Sequence, residues 1–137
     1  MIGPIRRRQR NLKSIASKLK SQRRNKEAEP PPSNMDICLV LVTHPNAKHA
    51  ENIVPGAVEK GLAACVLQAP MASFYIWKDA LTEDNEMVTL FKTVNEKVRL
   101  LENYVKANHE YEVPAIIRVP AKADSAYGRW MSDALER

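Results

Sequence analysis

An α+β fold, with a four-stranded antiparallel sheet under two helices, is predicted by three features of the sequence. Strand-length apolar blocks alternate with blocks of helical period. From residue 35 onward these blocks follow the order β-α-β-β-α-β-α. Turn-forming residues (Pro, Gly, Asn, Asp) stand at the joints. With right-handed crossovers that order gives the split βαβ, ferredoxin-like plan, extended by a C-terminal helix.

The first strand is Ile37-Cys38-Leu39-Val40-Leu41-Val42-Thr43, apolar on both faces as a central strand requires. His44-Pro45-Asn46 ends it, and Asn46 is a helix N-cap. Ala50, Ile53, Val54, Ala57, Val58 and Leu62 then follow helical spacing. Pro55-Gly56 lies in the middle of that helix, which predicts a bend or a fresh start at Pro55. Gly61 is its stop. Ala64-Cys65-Val66-Leu67 begins a second strand, which restarts after Pro70 as Ser73-Phe74-Tyr75-Ile76-Trp77. The polar stretch Lys78 to Asn85 is expected to turn the chain. A third strand, Glu86 to Thr93, returns, so that the two strands form a long hairpin. Asn95 to Ala107 is a second helix with Val98, Leu101, Tyr104 and Val105 inward. Glu112 to Val119 is a fourth strand, with Pro114 favouring its entry. Tyr127, Trp130, Met131 and Leu135 mark the last helix, capped near Asp124 or Ser125.

Charge divides the chain in two. The whole carries +5, but residues 1–34 hold ten Lys or Arg against Glu27 and Glu29, a net +8. Residues 35–137 are therefore acidic, at −3. Residues 1–34 read as a basic tail ending in the stiff connector Glu29-Pro30-Pro31-Pro32. Three readings of the tail stand: a solvated arm, an organelle presequence, or an arm for nucleic acid or an anionic membrane. The expected location is cytoplasmic, or mitochondrial or another organelle if the tail is a transit peptide. Cys38 and Cys65 make neither a disulfide framework nor a zinc knuckle, and no apolar run is long enough for a transmembrane segment. Four glycines and no glycine-rich phosphate loop argue against a nucleotide cofactor. There is no Gly-x-Ser-x-Gly elbow either.

Five blocks, in order across residues 36–135, carry a resemblance. Gly61-Leu62-Ala63-Ala64-Cys65-Val66 resembles the "LAACV" signature of the CutA family, the divalent-cation tolerance proteins. Ser73-Phe74-Tyr75-Ile76-Trp77-Lys78 is similar to its "SIYRW" strand, and Glu86 with Lys92-Thr93 to its "E…KT" strand. His109-Glu110-Tyr111-Glu112-Val113-Pro114 is similar to "HPYEVP", and Tyr127 with Trp130 to "YLxW". The resemblance implies a homotrimer of ferredoxin-like subunits, PII-like in build, with long hairpins reaching neighbours and clefts between chains. It implies a role in the response to divalent metal ions, copper binding in some members, and no established reaction. Copper coordination in the family involves a first-strand Cys and two His; the matching positions here are Val42, Asn108 and His109, of which His109 alone can ligate. Leu67, Glu110 and Ala115 also depart from the family pattern, as does Pro55-Gly56.

Cys65 and His109 are the metal candidates, a thiolate and an imidazole. Cys65, Tyr75, Trp77, Glu86, Lys92, Tyr111 and Trp130 are the ligand-cleft candidates, their alternative being core or interface packing. Glu86 and Lys92 lie six apart on one strand and so share a face. His44 and His49 flank the start of the first helix, where a surface site with Asp or Glu is a weaker alternative. A non-enzymatic trimer binding copper, another divalent cation or a small ligand at its clefts is the expected function. A trimeric scaffold presenting surfaces or basic tails to partners is the alternative. A hydrolase or transferase would need Glu86, Lys92 and His109 at one cleft.

Overall fold

The computed structural model describes residues 34–136. The expected basic tail lies outside them, apart from Asn34, which opens the first strand. The elements are β1 (Asn34–His44), α1 (Ala47–Glu59), β2 (Cys65–Trp77), β3 (Ala80–Thr93), α2 (Asn95–Asn108), β4 (Ile116–Asp124) and α3 (Ser125–Leu135). The strands form one antiparallel sheet in the order β2-β3-β1-β4. β1 is interior, in keeping with its two-sided apolar sequence.

Alternation along β1 sends Cys38, Val40 and Val42 to one face, under α1 and α2. There they meet Phe91, Ile53, Ala57, Leu101 and Val105, all buried. Each large side chain so buried stabilises the fold by about 1.5–3 kcal/mol. On the other face α3 packs Met131 against Ile37 and Ala123. Beyond α3 no other element among the described residues covers that face. Leu67, Leu90, Leu41 and Ile117 stand in register across all four strands, and Leu67 and Ile117 are 51% and 53% exposed.

Local chemistry explains the boundaries. Asn46 caps α1, its side-chain oxygen accepting from the His49 amide at 2.9 Å. At the other end the Gly61 amide donates to Val58 and the Leu62 amide to Ala57, with Gly61 at φ +69°. This is a Schellman close that favours glycine. Asp124 caps α3 by accepting from the Ala126 amide.

Four expectations are corrected. Of the two alternatives for α1, the fresh start at Pro55 is ruled out, since Ala47–Glu59 is one helix with Pro55 inside it. Pro55 and Glu51 are both exposed, so water can satisfy the carbonyl that Pro55 leaves unpaired. β2 does not break at Pro70, because β2 is an edge strand, where a missing amide is tolerated. The chain turns in two residues rather than eight. Lys78 and Asp79 hold φ of 49° and 62°, the positive pair of a type I′ hairpin turn, and β3 already begins at Ala80. Finally, β4 runs Ile116–Asp124, so 112–115 is loop.

The hairpin outruns the sheet. β3 pairs with β1 only from Met87 to Thr93. Among the described residues, 71–86 therefore form a ribbon of two strands paired only with each other. Phe74, Ile76, Trp77 and Leu81 are exposed on it.

Candidate functional site

Three histidines meet at one end of the sheet. His44 is the last residue of β1 and, by alternation, points to the helix-covered face; it is fully buried. Pro45 then breaks the strand, and the Asn46 cap sets His49 in the first turn of α1, also buried. His109 is the C-cap residue of α2, in extended conformation. Because β4 is antiparallel to β1 and starts opposite Val42, the α2–β4 connection must pass the end of β1. That brings His109 to the other two. One ring nitrogen from each lies within 4.8 Å of the others. The ring centroids are 5.0 Å (His44–His49), 5.4 Å (His44–His109) and 4.4 Å (His49–His109) apart.

Hydrogen bonds define the tautomers. The Glu110 amide donates to His49 Nε2 at 3.0 Å. His49 therefore carries its proton on Nδ1, which lies 2.9 Å from His44 Nδ1 and donates to it. His44 in turn holds its proton on Nε2, 2.7 Å from Thr89 Oγ1. The Thr89 hydroxyl donates to the Val42 carbonyl at 3.3 Å. Independently, the Tyr111 amide donates to His109 Nδ1 at 3.0 Å. His109 Nε2–H then donates to the Thr43 carbonyl at 2.8 Å. All three rings are neutral in this arrangement. Burial, with His49 and His109 adding to it, pushes the His44 pKa down to about 4. Burial and the neighbouring His109 also lower His49, against the pull of Glu110.

The other sequence candidates fall into separate places. Cys65 pairs with Lys92 in the β2–β3 register, on the α3 face. Lys92 Nζ lies 3.1 Å from the Tyr127 hydroxyl, and the Tyr127 and Trp130 rings pack 5.6 Å apart. Cys65, Lys92 and Trp130 thus share one end of that face. Tyr75 hydrogen-bonds to Asp84. Tyr111 stacks obliquely on His109 at 4.9 Å, and burial, then Glu86, Glu110 and Asp84, push its hydroxyl pKa up. Glu86 pairs with Met71 at the base of the ribbon, whereas Tyr75 pairs with Thr82 nearer its tip. Trp77 sits at the ribbon tip, 61% exposed.

Cys65 and His109 are not brought together. Lys92, the partner of Cys65, is level with Leu39, whereas His109 bonds to Thr43, four residues or about 13 Å further along β1. Glu86 and Lys92 share a face but stand about 20 Å apart along β3. His44 and His49 face a third histidine rather than an Asp or Glu. The grouping escaped sequence reading because the partners are distant in sequence; the one available signal was the expected placement of the fourth strand beside the first.

Comparisons with known proteins agree with this architecture. The sequence profile described as "CutA1 divalent ion tolerance protein" matches residues 38–134. A Xenopus laevis protein, "Protein CutA homolog", is 42% identical over 99 residues, covering 71% of this chain and 66% of that one. The "Divalent-cation tolerance protein CutA" of Thermus thermophilus is 37% identical over 97 residues, 69% of this chain and 94% of that one. The solved structure of CutA from Synechococcus elongatus superposes with a TM-score of 0.70 at 32% identity, covering 75% of this chain and 96% of that one. The chain spans two-thirds or less of the animal relatives it matches, 66% of the mouse and 57% of the human protein. On the strength of the profile match, the identities and the shared fold, this chain belongs to the CutA1 divalent ion tolerance family.

Proposed function

We propose that the protein acts in the response to divalent metal ions as a homotrimer, without catalytic turnover, holding copper, another divalent cation or a small ligand. The carrying observation is the hairpin ribbon of residues 71–86 with its exposed Phe74, Ile76, Trp77 and Leu81. An isolated two-stranded ribbon is marginal in water. Together with the uncovered Leu67–Ile117 face, it fits a second copy of the same chain. The metal role is supported by the family's description and by the name of the Thermus thermophilus relative, which speak of divalent ions or cations and of no reaction. The separation of Glu86 from Lys92 also argues against one catalytic cleft. The clefts between subunits, near Tyr75, Glu86 and Tyr111 on one side and Cys65, Lys92 and Trp130 on the other, are where a small ligand would lie.

Sedimentation of the full-length chain at micromolar concentration tests the assembly. The expected species has three times the 15.5 kDa chain mass; a monomer defeats the proposal. Growth of a null strain under raised copper or zinc tests the role, with rescue by the intact gene expected. The basic segment 1–34 favours a second reading, a scaffold presenting three linked arms to acidic partners. Partner capture that vanishes when the segment is removed would support it.

A further inference from the structure

We propose that His44, His49 and His109 form a site within one chain for a single divalent transition-metal ion of the imidazole-preferring class, such as zinc, nickel, cobalt or copper(II). This deepens the metal-response reading by giving the ion a location, one that needs no partner subunit.

Three imidazoles are the protein ligand set of an open metal site, with water completing the coordination. Among the described residues no carboxylate belongs to the cluster, so oxygen-seeking calcium and magnesium do not suit it. The proton order favours coordination through Nδ1. His44 and His109 already keep Nδ1 unprotonated, with Nε2–H held by Thr89 Oγ1 and by the Thr43 carbonyl. Such an oxygen acceptor on the far nitrogen is the usual outer partner of a metal-bound histidine.

His49 is the ring that must change. Its Nδ1 proton occupies the 2.9 Å gap to His44 Nδ1. Metal–nitrogen bonds of about 2.0–2.1 Å in tetrahedral geometry separate two nitrogens by about 3.3 Å. Seating the ion takes an opening of a few tenths of an ångström between these two rings and a closing-in of the His109 nitrogen, since the three ligand atoms now span up to 4.8 Å. The proton moves from His49 Nδ1 to Nε2, the ring stays neutral, and no net proton is released. The Glu110 amide then loses its acceptor, since Nε2 has become a donor. His109 Nδ1 likewise exchanges the Tyr111 amide for the ion. Both released amides belong to one turn, so metal loading and the conformation of residues 109–111 are coupled.

The test uses tag-free, chelator-stripped, full-length protein titrated with zinc by calorimetry and with cobalt by visible absorption. Expected are one ion per chain at micromolar affinity or tighter, and cobalt bands of low coordination number. His49→Gln and His109→Gln should each weaken zinc binding about tenfold or more. Cys65→Ser should not, and magnesium and calcium should give no binding heat. The Glu110 and Tyr111 amide resonances should move on zinc addition. Zinc binding equal in wild type and both histidine variants overturns the site, as does an octahedral, fully hydrated cobalt spectrum in the wild type. The wild-type spectrum and the partly exposed His109 keep the test valid if the buried His49 variant unfolds. Sedimentation separates the two proposals: a monomer that passes the titration keeps this site and loses the trimer, and a trimer that fails it does the reverse.

Discussion

Gly56 gives up helix propensity for a close approach between helices. A Cβ at this position would lie 2.1 Å from the Tyr104 hydroxyl oxygen and 3.2 Å from the ring carbon that bears it. In an open helix Gly→Ala stabilises by up to about 1 kcal/mol. Here Gly56→Ala is expected to destabilise by about 1–3 kcal/mol through overpacking. Urea unfolding reads the sign, and in a Tyr104→Phe background the loss should shrink. Glu102 gives a second residue-scale prediction. It is nearly buried on α2 and takes two hydrogen bonds of 2.6 Å from Arg118 of β4. The Arg118 guanidinium lowers its pKa, burial opposing. A carboxylate depressed in the folded state contributes stability that is present above its ordinary pKa of about 4.5 and disappears as pH falls through the lower folded value. Wild type should therefore lose stability more steeply than Glu102→Gln below about pH 4.5, in chemical denaturation run across that range. Parallel slopes would remove the ion pair from the account of acid sensitivity. Arg118 is largely exposed, which keeps the effect small.

Among the elements, the hairpin turn is open to improvement. Lys78 and Asp79 occupy a type I′ turn, whose two positive φ values are best met by Asn-Gly. Lys78→Asn with Asp79→Gly is expected to stabilise by about 1 kcal/mol, read as a higher midpoint of thermal unfolding. A fall instead would mean that the Lys78 or Asp79 side chain makes contacts in the assembled protein. The same hairpin shows where sequence patterning fails. Thr82 to Asn85 read as a polar turn because strands are recognised by a buried face, and this part of the ribbon has none within one chain. Pro70 read as a break because propensity does not distinguish an edge strand from a central one. By contrast, the core of β1, the extent of α2 and the caps at Asn46, Gly61 and Asp124 were readable, although β1 begins at Asn34, before its apolar run, and runs through His44. Each rests on a local residue type or on burial under both helices.

For the whole molecule, association is expected to depend on residues 34–137 rather than on the basic segment. Deleting residues 1–33 should leave the sedimentation coefficient that of a trimer. Leu67→Asp with Ile117→Asp should dissociate it, since both charges would enter the uncovered face. A deletion variant that falls apart, or an unaffected double variant, would move the interface elsewhere.

The sequence alone determined the order of elements, the central place of β1, the charge contrast between the first 34 residues and the rest, and the family resemblance. All of these follow from periodicity, composition or short blocks contiguous in the chain. The tertiary structure decided which chemistry-bearing residues meet. It set Cys65 and His109 apart, spread Glu86 and Lys92 along one strand, and gathered His44, His49 and His109 into a proton-ordered cluster. His44 and His49 are five residues apart, but His49 and Glu110 are 61 apart. Only the antiparallel pairing of β4 with β1 returns the chain to the strand end where His44 stands.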